Sequence, residues 1–243
     1  MFIISRKRIS LILICFLIGI SVYSYQGIKT GTQEKVEETI EEATATPVSG
    51  KVVVLDAGHG TPDEGAQSSK GTTEAETNLK IALKVQNLLE QSGCTVILTR
   101  SDEKAIYDLD KTTLKEKKIS DIRNRVKIGN SASADMFVSI HLNKIPQQQY
   151  WGWQCFYSSK SDESMKLAKI LQSSLNDAIQ KDNKRVAMKL DTVYIMKHVE
   201  IPISIVECGF LSNPEEEQQL LDDEYQDKLA WGIYNGIIEY FKN

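Results

Sequence analysis

Three polar side chains stand where apolar segments of the sequence end. His59 follows VVVLDAG, His141 follows MFVSI, and Glu207 follows ISIV. The ligands of parallel sheets bind beyond the carboxyl ends of the strands, so these side chains would converge if the strands are neighbours. The chain has three histidines in all, and two of them at equivalent strand ends favour a metal site over two unrelated structural histidines.

A catalytic zinc ion commonly has three protein ligands and leaves its fourth position to water. Candidates for the third ligand lie in the segment KGTTEAETN. Thr73 and Glu76 have the spacing of a capping box, which gives Glu76 a structural role. Glu74 remains, at the first position of a helix, where an acid also interacts favourably with the helix dipole. Beside two histidines the ligand interpretation is favoured, so His59, Glu74 and His141 are predicted to hold one zinc ion per chain.

Glu207 is predicted to be the catalytic acid and base. Zinc lowers the pKa of its water toward about 7, and a carboxylate on the far rim can take the proton and pass it to a leaving nitrogen. The alternative is an ion pair between Glu207 and a surface lysine. Asp56 and Asn143 flank the two histidines and are predicted to orient them through the ring N–H groups.

After Gly50, apolar strands alternate with amphipathic helices, which is the pattern of a parallel sheet covered by helices. We therefore expect an α/β fold: a single domain whose mostly parallel central sheet of about six strands is flanked by helices on both faces. Strands are predicted at residues 52–56, 95–98, 136–141, 153–157 and 203–207. Helices are predicted between the KGTTEAETN segment and Gly93, and near residues 121–131, 163–181 and 224–241.

The first 25 residues are predicted to be a signal peptide or an N-terminal membrane anchor. Basic residues at positions 6–8 precede an uncharged apolar run, and such residues keep their side of the membrane cytoplasmic. Residues 26–50 are polar and acidic and are predicted to form a linker. Residues 51–243 are the predicted catalytic domain, which would therefore be exported.

Charge and cysteine content narrow the function classes. The formal net charge is -4, and no basic stripe is present, so a nucleic-acid partner is not expected. An odd number of cysteines in the domain, Cys94, Cys155 and Cys208, indicates no disulfide framework. A cysteine hydrolase that pairs Cys208 with a histidine is a rival hypothesis. Alternation along ISIVECGF points Glu207 and Cys208 to opposite sides of the strand, which disfavours it.

The sequence resembles the zinc-dependent N-acetylmuramoyl-L-alanine amidases, the Amidase_3 family, in five successive segments: LDAGHGTPDEGA, KGTTEAETNLKIA, LTRSD, ADMFVSIHLN and VECGFLSN. The resemblance runs from Lys51 to Lys242. It implies the same zinc ligands and the same catalytic glutamate as the strand ends do. It also implies substrate-binding roles for Arg125 and Arg185, for which structural ion pairs are the alternative. The loop TPDEGAQSSKG departs from the family, whose first loop is usually richer in glycine.

Within this family, a bare domain behind an apolar N-terminal segment most resembles the CwlD-type sporulation amidases. The resemblance implies hydrolysis of the amide bond between N-acetylmuramic acid and L-alanine in peptidoglycan, in the wall that becomes spore cortex, so that muramic lactam can form. The enzyme would act at the outer face of the cytoplasmic membrane or in the cell wall of the forespore. A zinc metallopeptidase cutting within the stem peptide remains an alternative. A non-catalytic wall-binding module would be expected to lack one of the four site residues.

A protein activator at the membrane surface is also expected. The resemblance implies that such amidases are often restrained by a blocking helix or switched on by partner proteins. The segment between His59 and Glu74 is too short to hold a blocking helix, and the sequence has no wall-targeting repeat. A partner that binds the metal-competent conformation would raise the affinity for zinc by linkage.

Overall fold

The computed structural model describes residues 46–242. The predicted N-terminal targeting segment and the predicted linker up to residue 45 lie outside the described residues. Residues 46–50 form a turn in which Val48 is fully buried against the domain. Within the described part of the chain, no helix is long and apolar enough to cross a membrane.

A six-stranded, mostly parallel sheet forms the centre of the domain. Its strands are β1 (Val52–Ala57), β2 (Thr95–Leu98), β3 (Met136–Asn143), β4 (Gln154–Tyr157), β5 (Met188–Lys189) and β6 (Ile203–Phe210). They lie side by side in the order β2-β1-β3-β6-β4-β5. Neighbours are parallel except β4 and β6, which are antiparallel, so β4 and β5 run against the other strands.

Helices cover both faces of this sheet, as the sequence predicts. They are α1 (Glu74–Gln91), α2 (Leu114–Ser131), α3 (Asp162–Ile179), α4 (Tyr194–His198), α5 (Pro214–Leu221) and α6 (Asp223–Lys242). Helices α1, α3 and α6 pack over one face, which includes Leu55 and Val206. Helices α2 and α4 pack over the other face, which includes Val54 and Phe137. Because both faces are covered, the strands are apolar in nearly every position.

Some elements differ from the prediction. The short elements β5, α4 and α5 are absent from it, because segments of two to eight residues are too short to show a clear period. Helix α2 begins at Leu114 rather than near Asp121. A capping box precedes it, in which the Thr113 hydroxyl accepts from the Glu116 N–H and the Glu116 carboxylate accepts from the Thr113 N–H. That box is the sequence signal for the true start of α2.

The carboxyl ends of β1, β3 and β6 meet at one edge of the sheet, which we call the carboxyl edge. The register pairs His141 with Glu207 on the adjacent strand. Paired residues point to the same side of a sheet, so these two side chains lie next to each other. Strand β4 starts at the same edge because it is antiparallel to β6, and its Gln154 pairs with Glu207.

Candidate metal centre and active site

Both histidines and Glu74 meet at the carboxyl edge. Glu74 Oε1 lies 3.3 Å from His59 Nε2 and 2.9 Å from His141 Nδ1, and one ligand atom from each residue lies within 4.8 Å of the others. In a tetrahedral zinc site with bonds of about 2.0–2.2 Å, ligand atoms stand roughly 3.3 Å apart. Two imidazole nitrogens and a carboxylate oxygen suit zinc with one open position. The residues present therefore fit the predicted cofactor.

A tight loop after β1 brings His59 to this position. His59 has a left-handed backbone, with a φ of 63°, which is uncommon for a residue that carries a side chain. A Cβ atom at Gly58 would lie 2.2 Å from the His141 ring, and one at Gly65 would lie 2.6 Å from Glu74 Oε2. The three side chains can approach one another because these two positions are glycine.

Backbone groups hold the carboxylate of Glu74 at the start of α1. Its Oε2 accepts from the Ala66 N–H at 2.8 Å, and its Oε1 accepts from the Leu142 N–H at 3.1 Å. Burial raises the pKa of Glu74, but hydrogen bonds from His141 and His59 outweigh burial and hold that pKa well below its usual value. Glu74 is thus an ionised carboxylate in a fixed position, as a metal ligand must be.

The capping box predicted at Thr73 and Glu76 is half formed. The Thr73 hydroxyl accepts from the Glu76 N–H at 3.4 Å. The Glu76 carboxylate instead contacts Lys80 at 2.6 Å, one turn along the helix, because that ammonium group offers it a charged partner on the exposed face. Glu76 therefore stays away from the metal site, as the sequence predicts.

Asp63 contacts His59 and is missing from the predicted site. Its Oδ2 lies 3.2 Å from His59 Nδ1, and its Oδ1 lies 2.9 Å from Lys118 Nζ. Burial alone would lower the pKa of His59. The carboxylates of Asp63 and Glu74 outweigh burial and raise this pKa to about 9. A carboxylate on the far nitrogen of a metal-binding histidine orients the ring and makes it more basic. The sequence signal for this role is its place four residues after His59, in a loop that must fold back over the ring.

Glu207 has an unpartnered oxygen beside the three ligands. The residue as a whole is half-buried, but its Oε2 atom is buried and has no hydrogen-bond partner among the described residues. Burial raises the pKa of Glu207 to about 7; the charge of Glu74 also raises it, while His141 and His59 lower it. A carboxyl group with such a pKa can both accept and donate a proton near neutral pH.

The prediction that Asp56 orients His59 directly requires correction. Asp56 accepts hydrogen bonds from the Thr99 hydroxyl at 2.7 Å, the Ser139 hydroxyl at 2.6 Å and Arg125 Nη1 at 2.5 Å. Burial raises the pKa of Asp56, but Arg125 and the other partners lower it to about 2. Both carboxylate oxygens of Asp56 are therefore used in hydrogen bonds beneath the site. Asp56 is connected to His59 through Arg125, which also donates to the His59 carbonyl.

Arg125 is buried and has its five N–H groups in hydrogen bonds. Nη1 donates to Asp56 and to the Ala57 carbonyl, Nη2 donates to the His59 carbonyl and to Asp121, and Nε donates to Asp121 at 2.7 Å. No donor is left for a substrate, so the predicted substrate-binding role of Arg125 is replaced by the structural ion-pair alternative. Its function is to hold the backbone that carries His59.

No hydrogen bond described for the Asn143 side chain supports its predicted contact with His141, so that role stays a prediction. The hydrogen bonds described for Asn143 use its backbone: its carbonyl accepts from the Leu211 N–H at 2.8 Å. The β3–β6 register shifts between His141 and Asn143, where three residue steps of β6, from Glu207 to Phe210, stand against two of β3, so the irregularity lies in β6.

Arg100, in the LTRSD segment, joins the two parts of the metal site. Its Nε donates to the Ala57 carbonyl at 2.8 Å, and its Nη2 donates to the carbonyls of Gly58 at 3.1 Å and Ala75 at 2.7 Å. It is 3% exposed. One guanidinium group therefore fixes the loop of His59 against the helix of Glu74.

Arg185 lies on the far side of Glu207. Its Nε donates to the Trp151 carbonyl at 3.0 Å, and its Nη1 donates to Gln154 Oε1 at 3.2 Å. Its guanidinium carbon is 4.6 Å from the centre of the Phe210 ring. Unlike Arg125 it is half-buried and keeps free donors, so its substrate-binding role remains a prediction.

A cavity of about 510 Å³ opens at the carboxyl edge beside His59, His141 and Glu207. Its walls come from α2 on one side and from the β5–α4 connection on the other. They are largely apolar, and the apolar residues that line it are Ile119, Ile122, Leu190, Val193, Ile195 and Ile205. The cavity has the size of a ligand site, in which polar groups at the floor face an apolar wall.

Cys208 faces away from this cavity. It is fully buried in the core under α1, α3 and α6, on the opposite side of β6 from Glu207. Burial raises the pKa of Cys208 well above its usual value, whereas a nucleophilic cysteine needs a lowered pKa and access to substrate. The cysteine hydrolase hypothesis therefore has no support.

Both the sequence and the fold have counterparts among known proteins. The family model described as N-acetylmuramoyl-L-alanine amidase matches residues 53–239. The chain is 40% identical over 195 residues to the germination-specific N-acetylmuramoyl-L-alanine amidase of Bacillus subtilis strain 168, and the match covers 80% of this chain and 81% of that protein.

Solved structures give the same result. The chain is similar to the CwlD amidase of Clostridioides difficile in complex with the GerS lipoprotein, with a TM-score of 0.77, 42% identity, and coverage of 79% of this chain and 98% of that chain. It is also similar to the catalytic domain of CwlV, an N-acetylmuramoyl-L-alanine amidase of Bacillus (Paenibacillus) polymyxa, with a TM-score of 0.67, 32% identity, and coverage of 79% and 98%.

Proposed function

Because the chain belongs to the N-acetylmuramoyl-L-alanine amidase family, we propose that its carboxyl edge is the zinc-dependent active site of a peptidoglycan amidase. In this proposal His59, Glu74 and His141 hold the ion, and Glu207 transfers the proton. One observation carries it: three donor atoms within 4.8 Å of one another lie beside a buried carboxylate whose Oε2 has no partner among the described residues.

Each residue of the site has one task. When bound, zinc supplies an acidified water and polarises the amide carbonyl. His59 and His141 offer neutral imidazole nitrogens, and Asp63 keeps the His59 ring in its orientation. Glu207 takes a proton from water at Oε2 and then donates it to the nitrogen of the leaving L-alanine. Its pKa of about 7 allows both steps near neutral pH.

The bond change follows from the substrate. Water adds to the carbonyl carbon of the lactyl group, and the bond from that carbon to the L-alanine nitrogen breaks. The sugar keeps a lactyl carboxyl group, and the stem peptide leaves with a free amino group. Because a muramic lactam can form only from a muramic acid that has lost its peptide, this reaction would prepare the wall for lactam formation.

A role in spore cortex maturation is supported by the relatives. One relative is a germination-specific amidase, and a similar structure is the CwlD amidase of a second organism. The matches cover 81% of the first protein and 98% of the chain in the second structure. The sporulation role extends that similarity to this chain.

A membrane-surface partner and an exported catalytic domain complete the proposal. The similar amidase of Clostridioides difficile is in complex with a lipoprotein, and a lipoprotein is anchored to a membrane surface. The proposed layout has a targeting segment at residues 1–25, a linker at residues 26–50, and a catalytic domain at residues 51–243 that acts outside the cytoplasmic membrane.

A zinc metallopeptidase that cuts within the stem peptide would need the same ligands and the same glutamate, so the site chemistry alone does not separate the two activities. Digestion of purified peptidoglycan by the purified protein separates them. Mass spectrometry of the products should show free N-terminal alanine on whole stem peptides and an intact glycan. Peptides shortened at an internal bond, with muramic acid still substituted, would identify the peptidase instead.

A further inference from the structure

Three open depressions form a continuous path from the carboxyl edge across α5 and α6. The first, of about 180 Å³, is lined by Trp151. The second, of about 520 Å³, shares Lys181 and Gln219 with the first. The third, of about 510 Å³, shares Lys228 with the second and ends at Trp231. The two larger volumes lie in the roughly 300–1,000 Å³ range of ligand sites. We call this surface the α5–α6 path.

The Trp151 end of the α5–α6 path lies close to the strands that carry the proposed catalytic glutamate and its neighbour. Arg185 donates to the Trp151 carbonyl at 3.0 Å and to the Gln154 side chain at 3.2 Å. Gln154 pairs with Glu207 across the β4–β6 ladder. One guanidinium group thus connects the backbone of Trp151 to the neighbour of the proposed catalytic glutamate.

A buried carboxylate fixes the segment that presents Trp151. The two oxygens of Glu216 accept from the Gly152 N–H and from the Phe210 N–H, each at 2.8 Å. Glu216 is 4% exposed. The start of β4 is therefore tied to the end of β6, and the backbone that carries Trp151 is held in place before any ligand arrives.

Aromatic faces remain open along the path. Trp151 is 38% exposed and Trp231 is 50% exposed. Between them the lining offers amides, ammonium groups and carboxylates, all of which can bond to sugar hydroxyls: Gln218, Gln219, Lys181, Lys228, Glu215, Asp222 and Glu224. A sugar ring has an apolar face of C–H groups that packs on an indole, and a rim of hydroxyl groups that bonds to amides and charged heads. Tryptophan supplies both a large apolar surface and a polar N–H group.

The cavity beside Glu207 has a different chemistry. Its walls carry Leu190, Val193 and Ile195 from one side and isoleucines from α2 on the other. Such walls suit the alkyl side chains of a peptide better than hydroxyl-rich sugars. The substrate of an amidase has a peptide on one side of the cut bond and a glycan on the other, and the cavity beside Glu207 shares no lining residue with the depression at Trp151.

We propose that the α5–α6 path binds the glycan strand that continues from the muramic acid at the cut bond. Trp151 contacts the sugars next to that residue, and Trp231 contacts sugars further along the strand. This inference depends on the proposed function for the identity of the ligand, and it assigns the strand to a surface away from the peptide cavity.

The test compares variants of the full chain on two substrates with the same scissile bond. One substrate is a single N-acetylmuramoyl peptide without neighbouring sugars, and the other is a long uncrosslinked glycan strand with its stem peptides. The variants are Trp151→Ala, Trp151→Phe and Trp231→Ala. Leu109→Ala is the control, because Leu109 is 98% exposed and lines none of the three depressions.

Trp151→Ala should raise KM for the long strand about tenfold, the usual consequence of removing a contact-forming tryptophan, and leave KM for the single unit unchanged. Trp151→Phe should recover part of the loss because it keeps an aromatic face. Trp231→Ala should weaken the long strand less than Trp151→Ala does. Leu109→Ala should behave as the wild type with both substrates.

Equal KM values for all variants on the long strand would overturn the proposal. A similar loss on both substrates in Trp151→Ala would also overturn it, since Trp151 would then belong to the reacting site. Binding of peptide-free glycan strands, measured by isothermal titration calorimetry with each variant, keeps the question separate from catalysis. A wild-type protein that cuts neither substrate would refute the proposed function, whereas this binding measurement would still decide the α5–α6 path.

Discussion

Two buried glutamates at the carboxyl edge differ in their hydrogen-bond partners. Hydrogen bonds to His141 and His59 hold the pKa of Glu74 well below its usual value, and two backbone N–H groups fix its carboxylate in place. Glu207 has an oxygen without a partner among the described residues, and burial raises its pKa to about 7. Hydrogen-bond donors around a carboxylate, more than its burial, therefore decide whether it can hold a cation or transfer a proton.

Replacing the second glutamate should separate the two roles most clearly. Glu207→Gln keeps the size of the side chain but removes its capacity to carry the proton. We expect kcat/KM to fall about 10²- to 10⁴-fold, while zinc content, measured by metal analysis of the purified protein, stays near one per chain. Glu90→Gln, at an exposed position of α1, is the matched control and should have no effect. Loss of zinc in Glu207→Gln would instead show that Glu207 is a metal ligand.

Removing the partner of His59 should weaken the metal site without abolishing it. In Asp63→Asn the His59 Nδ1 loses a charged acceptor at 3.2 Å. Loss of such an outer partner typically lowers metal affinity about 10- to 100-fold. Competition with a chelator would measure it, and Asp110→Asn, which breaks an exposed ion pair with Lys111, is the control. Unchanged affinity in Asp63→Asn would mean that Glu74 alone fixes the ring.

Zinc affinity should rise with pH because a proton competes for His59. In the metal-free protein the pKa of His59 is raised to about 9, so the imidazole is protonated at neutral pH and must lose that proton to bind zinc. Between pH 7 and 8.5 we expect the affinity to increase by roughly tenfold per unit. Chelator competition across this range checks the slope. A flat profile would show that His59 is already neutral in the empty site.

A substitution on the core side of β6 should affect the stability of the protein and not its activity. Cys208→Ala removes a buried sulfur from the core and should lower the free energy of unfolding by about 1 kcal/mol, measured by urea denaturation. Turnover of the folded protein should remain unchanged, because Cys208 faces away from the cavity that Glu207 lines. Complete inactivation of a folded, zinc-loaded Cys208→Ala would restore the cysteine hydrolase hypothesis.

The functional residues at strand ends could be predicted from the sequence, because their positions follow from the pattern of neighbouring apolar residues. Unbroken apolar runs predict strands that are buried on both faces, and the position of His59, His141 and Glu207 after such runs predicts their convergence. The same logic gives the parallel sheet and its covering helices. Glu74 needed an additional argument, namely that Glu76 would be used as part of a helix cap.

The residues that contact the proposed zinc ligands from outside could not be predicted from apolar patterns in the sequence. These contacts depend on how loops fold back in three dimensions. Asp63 reaches His59 through a turn in which Gly60 has a φ of 145° and exchanges backbone hydrogen bonds with Asp63, and no apolar pattern marks it. Asp56 lies so close to His59 in sequence that direct contact was expected, yet Arg125, 69 residues away, takes its oxygen. Long-range ion pairs of this kind leave no periodic signal.

Anomalous X-ray diffraction at the zinc edge, on crystals of the zinc-loaded protein, tests the division between the two glutamates most directly. We expect one peak per chain, about 2.0–2.2 Å from a nitrogen of His59, a nitrogen of His141 and an oxygen of Glu74, with Glu207 beyond bonding distance. A peak coordinated by Glu207 in place of Glu74, or no peak at the carboxyl edge, would contradict the proposed site.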